Sequence, residues 1–118
     1  MRLELPEPPS ANRWWRKWHG RMVLSSEARA YQRLVRVLAK ARSGGMEILR
    51  GDVCVDLIWH RARRAGDLDK RVGILLDALQ GVAYVKDAQI RELHAKRSDR
   101  RTAPGRIFVT ITPLTPEE

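Results

Sequence analysis

Three stretches of the chain alternate apolar and polar residues, and two repeat apolar residues at helical spacing. Leu3 and Leu5 alternate with Arg2 and Glu4 up to Pro6, which predicts a short edge strand. Val53, Val55, Leu57 and Trp59 share one face of VCVDLIWH, residues 53–60. Ile107, Val109 and Ile111 alternate against Phe108, Thr110 and Thr112 in the last predicted strand before Pro113. Tyr31, Leu34, Val35, Leu38 and Ala41 fall on one face of a helix capped by Ser25 or Ser26, with Glu27 in its first turn. Arg29, Arg33, Arg36 and Lys40 lie largely off that face, and Ser43-Gly44-Gly45 ends the helix. A second helix begins at Asp67 or Asp69, turns Val72, Leu75, Leu76 and Leu79 inward, and stops at Gly81.

Between these elements the pattern is weaker. PEPPSANRWWRKWHGRM has no period and three prolines, and reads as a loop. HRARRAGD is a basic connector, GVAYVKDAQ a turn with a short strand, and Gln89 to Lys96 a strand. KRSDRRTAPGR reads as a basic, hairpin-like loop. The order is β-α-β-α-β-β: an α+β fold with two main helices layered on a mixed sheet of about four strands. Without repeats or linkers, residues 1–118 are expected to form one domain.

Charge narrows the partners. The 118 residues hold 23 Lys and Arg against 14 Asp and Glu, a net +9, and such a field attracts polyanions, nucleic acid first. No apolar run approaches the roughly 20 residues that span a bilayer, and MRLELPEPPS lacks an apolar signal core. Cys54 is the sole cysteine, which excludes an intrachain disulfide and fits a reducing, cytoplasmic setting. Within its apolar strand Cys54 is expected to be a small core residue. His19, His60 and His94 show no paired metal spacing, which argues against a structural zinc site.

Acids inside this basic surface need a reason. Asp67 and Asp69 stand two residues apart in GDLDK, directly after HRARRA. One reading is a helix N-cap and a first-turn acid, the cap contributing about 0.5–2 kcal/mol. The other is a hard-metal site: Mg²⁺ is held by one or two carboxylates plus substrate phosphate, and Asp87 after the helix offers a third. Asp56 and Asp77 are expected to pair with Arg or face water. RWWRKWHGR mixes bases with tryptophans, so Arg13, Arg16 and Lys17 are placed near nucleic acid and one Trp in the core.

With these residues in view the chain resembles the RusA family of Holliday junction resolvases, from Leu5 to about Ile111. LPEPPSANRWW, GRMVLSSEARAYQRLV and GDLDKRVGILLDALQGVAYVKDAQI carry the likeness, in order and at matching separations. The resemblance implies a homodimeric endonuclease, dependent on Mg²⁺ with Mn²⁺ as substitute, that makes paired nicks in branched, four-way DNA. The family's essential acids carry over onto Asp67, Asp69 and Asp87. The family has Asn after the second Asp and a catalytic Lys three residues on, where this chain has Lys70 and Gly73. Lys70 projects from nearly the same helix face one turn earlier, and is assigned the phosphate-stabilising role. Arg61, Arg63 and Arg64 are expected to contact the backbone near the cut, and Arg97, Arg100 and Arg101 a more distant arm. The family is often carried by phages and prophages, so the resemblance implies a phage or prophage origin as one expectation, and the expected setting is the cytoplasm, at the nucleoid. The reading from another class is a non-catalytic junction-binding protein, which the same positive surface and the missing lysine would suit.

Overall fold

The computed structural model describes residues 1–10, 13–43, 48–62, 68–98, 100 and 102–114. In chain order the elements are β1 (Arg2–Pro6), β2 (Trp15–Trp18), β3 (Arg21–Leu24), α1 (Ser26–Ser43), β4 (Val53–His60), α2 (Leu68–Leu79), β5 (Ile90–Ser98) and β6 (Arg106–Pro113). A 3-10 turn, Asp87–Gln89, leads into β5.

Four strands form one mixed sheet in the order β1-β6-β4-β5. β6 runs antiparallel to both β1 and β4, while β5 runs parallel to β4. A parallel pair needs a crossover, and α2 lies in the segment that supplies it. The expected α+β layering is thus the observed one. The segment between β5 and β6 does not close a hairpin, because β4 separates the two strands. The short strand expected in GVAYVKDAQ is instead a turn, isolated bridges from Tyr84 to Leu49 and to Gln80, and the 3-10 turn.

Alternation decides which sheet face is buried. Leu3 and Leu5 of β1, Val53, Val55, Leu57 and Trp59 of β4, and Ile107, Val109 and Ile111 of β6 enter one core with both helices. From α2 come Val72, Ile74, Leu75, Ala78 and Leu79. From α1 come Ala28, Tyr31, Val35 and Ala39, whereas Leu34 is 43% exposed and Ala41 is exposed, contrary to the face expected for them. α1 packs beside β1, an edge strand, so the flank turned beyond that edge has no sheet to cover. Cys54 is half-buried and belongs to the opposite, open face with Asp56 and Ile58, so it is not a core residue.

The segment read as a loop contains the β2–β3 hairpin, paired from Trp15↔Leu24 to Trp18↔Arg21. Its two linking residues, His19 and Gly20, have φ of 49° and 74°, the left-handed pair that a tight two-residue hairpin loop requires. Trp14, just before it, is the structural tryptophan. It is 1% exposed and meets the Tyr31 ring edge-on at 6.2 Å.

Candidate active site and nucleic-acid interface

The start of α2 is held through Arg71 by two contacts, which a further chain of bonds supports. Arg71, in its first turns, donates to the Pro8 carbonyl and places its guanidinium 5.4 Å from the Trp59 ring centre. The Trp59 indole N–H in turn donates to Glu7 Oε1 at 2.7 Å. Glu7 is drawn in by its own N–H, which donates to the Gly105 carbonyl at 3.1 Å. Gly105 is required there: an added Cβ would lie 2.7 Å from Glu7 Oε2 and 2.9 Å from the Ala62 backbone nitrogen. Asp69 and Lys70 stand exposed on the turn so anchored. Gly73, where the family's lysine would be, is exposed, and a Cβ there meets nothing within 4 Å.

Asp87 is held by a different set of bonds. Its N–H donates to Gln80 Oε1 at 3.1 Å. Gln89, two residues on, accepts from the Val85 and Lys86 N–H groups at 2.8 and 2.9 Å. Its amide nitrogen donates to the Leu49 and Gly51 carbonyls at 2.9 and 2.8 Å. The Tyr84 hydroxyl donates to the Leu76 carbonyl at 2.7 Å, which pins the preceding turn onto α2. The Asp87 backbone is therefore held in place, and its carboxylate is exposed.

Asp77 is the residue that sequence reasoning passed over. Partial burial first, then the Asp87 charge, push its carboxyl above the usual Asp range. It accepts a long bond of 3.4 Å from Gln80 Nε2. Of the two outcomes expected for it, pairing with Arg or facing water, Asp77 takes the second: its side chain is exposed. The signal was present in the sequence as DALQGVAYVKDA, a helix end followed by a tight return that brings the second Asp back onto the first. Asp69 lies in the first turn of the same helix, eight residues earlier (77 − 69), about 12 Å along its axis at 1.5 Å per residue. The acids thus form a track along α2, with Asp69 at its start and Asp77 and Asp87 toward its end. Asp67 lies outside the described residues.

Of the bases singled out from sequence, Arg13 is 3.8 Å from Glu27, an exposed pair worth at most about 1 kcal/mol. Arg16 and Lys17 are exposed on β2, and the Arg16 guanidinium sits 5.1 Å from the Trp18 ring centre. Trp15 and Trp18 are 48% and 54% exposed, so two aromatic faces and their cations are open to a ligand on this hairpin. Arg61 is half-buried, its carbonyl accepting from the Thr102 N–H at 3.1 Å. Arg97 is exposed on β5 and Arg100 just beyond it. Arg63, Arg64 and Arg101 lie outside the described residues.

A cleft between α1 and the β1–β6 edge, about 520 Å³, is lined by Arg2, Glu4, Leu38, Arg42, Phe108 and their neighbours, and contains none of these acids. No described helix is long and apolar enough to cross a membrane. The acids offer hard, exposed oxygen donors, and the mutual repulsion of Asp77 and Asp87 is what a divalent cation would offset; the chemistry of this donor set fits Mg²⁺.

Comparison with known proteins identifies the family. Residues 6–112 match the model of the family described as Endodeoxyribonuclease RusA. The crossover junction endodeoxyribonuclease RusA of Shigella sonnei (strain Ss046) is 32% identical over 116 residues, covering 95% of this chain and 93% of that protein. A match from Pro6 to Thr112, carried by a sheet, two helices and an acid-bearing return, places this chain in the RusA family of endodeoxyribonucleases, a family of nuclease enzymes.

Proposed function

We propose that this chain, acting as one domain over residues 1–118, resolves four-way DNA junctions by paired symmetric nicks, with Mg²⁺ as its cofactor and Mn²⁺ as a substitute. The observation that carries the reading is the family match over residues 6–112, combined with exposed carboxylates on α2 and on a return whose backbone is held by Gln80 and Gln89. Asp67, Asp69 and Asp87 would be the cation ligands; with about 12 Å of α2 between Asp69 and the end that carries Asp77 and Asp87, Asp69 and Asp87 would serve separate ions, and Asp77 adds charge beside Asp87. A bound divalent ion supplies a water of lowered pKa and stabilises charge on the phosphodiester as it is displaced in line. Lys70 approaches the same phosphate from the first turn of α2. The β2–β3 hairpin offers Trp18 to a base and Arg16 and Lys17 to phosphates, while Arg61, Arg63, Arg64, Arg97, Arg100 and Arg101 track the DNA backbone. Two symmetric cuts need two related sites, so the working unit is a homodimer. The setting is cytoplasmic, on DNA.

Asp87→Asn tests the reading: junction affinity is retained, while cleavage in Mg²⁺ falls by about 100-fold or more, as expected when charge stabilisation in the transition state is removed. Equal cleavage by both proteins would remove Asp87 from the site. The exposed Gly73, with room for a side chain, favours a second reading in which the chain binds junctions without cutting them. Lys70→Ala and Gly73→Lys separate the two. If Lys70 serves the phosphate, Lys70→Ala lowers cleavage at limiting Mg²⁺ by about tenfold or more, and Gly73→Lys restores it. Binding without cutting by the wild type, gained only in Gly73→Lys, would establish the second reading.

A further inference from the structure

On the open face of the sheet, away from α2, Cys54 and Asp56 of β4 and His94 of β5 bring one donor atom each to within 4.8 Å of one another. No spacing in the sequence announces this group, because parallel pairing creates it. Asp56 lies opposite His94, and Cys54, two residues back on the same face, lies opposite Glu92. The four side chains therefore form a square on adjacent strands, of which three already converge. The Cys54 thiol points into the group, 3.5 Å from Asp56 Oδ2.

We propose that Cys54, Asp56 and His94 form a binding site for a thiophilic divalent cation of the Zn²⁺ class, separate from the acids on α2. The donor set selects the ion. Thiolate and imidazole are poor ligands for Mg²⁺ and good ones for Zn²⁺, and thiolate plus carboxylate balance a divalent charge. Tetrahedral Zn²⁺ bonds of about 2.0–2.3 Å set donor atoms roughly 3.3–3.8 Å apart, so the group must close by about 1 Å. Side-chain rotation provides this, since Asp56 and His94 are exposed and Cys54 is half-buried. Glu92, paired opposite Cys54 on the neighbouring strand, is the side chain placed to turn in as a fourth ligand. On binding, the S–H bond breaks, the sulfur–metal bond forms and the proton passes to solvent.

The site has a structural consequence. β5 is an edge strand exposed along nearly its whole length, and it follows directly from the Asp87 turn. A metal held by both strands would clamp β5 to β4.

The test uses the full chain, stripped with chelator and titrated with Co²⁺ and Zn²⁺ in excess Mg²⁺. The expected result is one equivalent of Co²⁺ per chain with thiolate-to-cobalt charge-transfer absorption, displaced by Zn²⁺, and a raised Tm with Zn²⁺. Cys54→Ser abolishes the absorption, His94→Asn weakens binding by at least about tenfold by loss of a ligand, and Asp87→Asn leaves both unchanged. The proposal is overturned if no thiolate band appears, if the band survives His94→Asn at full affinity, or if it is lost with Asp87→Asn. Circular dichroism of each unloaded variant shows whether it is folded, so a folding defect cannot pass for loss of the site.

Discussion

Individual residues divide cleanly between holding the fold and meeting the ligand. Trp14 and Trp18 stand four positions apart in one basic segment, yet Trp14 is 1% and Trp18 54% exposed. Trp14→Ala should cost about 3–5 kcal/mol in chemical denaturation, as for any large buried side chain. Trp18→Ala should leave stability within about 0.5 kcal/mol and weaken junction binding by about 1–3 kcal/mol, the stacking contribution of one base. Asp77 gives a pH-dependent case. Its carboxyl is raised in the folded chain by burial and by Asp87, so the fold favours its protonated form. That contribution is complete below the ordinary Asp value of 3.8 and is lost as pH rises through the raised pKa. Asp77→Asn should therefore stabilise the metal-free protein at neutral pH, by no more than about 0.5 kcal/mol because the site is largely solvated. In acid the gain disappears; a gain independent of pH would contradict the proposed cause.

At the scale of elements, the site depends on two braces. Arg71, Trp59 and Glu7 set the start of α2, and Gln80, Gln89 and Tyr84 set the return that carries Asp87. Gln89→Ala removes the partner of four backbone groups and should cost about 1–3 kcal/mol in thermal or denaturant unfolding. It should also lower cleavage more than junction affinity, since it displaces Asp87 and leaves the hairpin intact. Unchanged stability would mean that water replaces these bonds. The strands of the main sheet and both helices were legible in the sequence because alternation and helical period report burial directly, as Val53–Trp59 and Val72–Leu79 illustrate. The β2–β3 hairpin was not, since its residues are mostly exposed and leave no apolar alternation; only the His-Gly pair marked its turn. α1 was legible as a helix but not in its facing, because small Ala28 and Ala39 pack inward while larger Leu34 overhangs the sheet edge. The D-x-D and D-A-Q segments stood out by composition, whereas the closeness of Asp77 to Asp87 and the Cys54 group depends on which strands and turns pair, which local pattern does not encode.

For the molecule as a whole, a net +9 surrounds a small set of acids, so attraction to DNA and the chemistry of cutting it reside in different residues. Affinity should fall steeply with salt, in proportion to the phosphates contacted, for wild type and for Asp variants alike. Cleavage, in contrast, should require the acids and the cation together. Sedimentation of the purified chain at working concentration should give a dimer, and a monomer that still cuts both strands symmetrically would contradict the two-site account. The most direct measurement is cleavage of a synthetic four-way junction by wild type and Asp69→Asn, each in Mg²⁺ and in chelator, with binding measured in parallel. Symmetric paired nicks are expected only for wild type in Mg²⁺, with junction binding by both proteins. Binding without cleavage by wild type, or cleavage undiminished in Asp69→Asn, would contradict it.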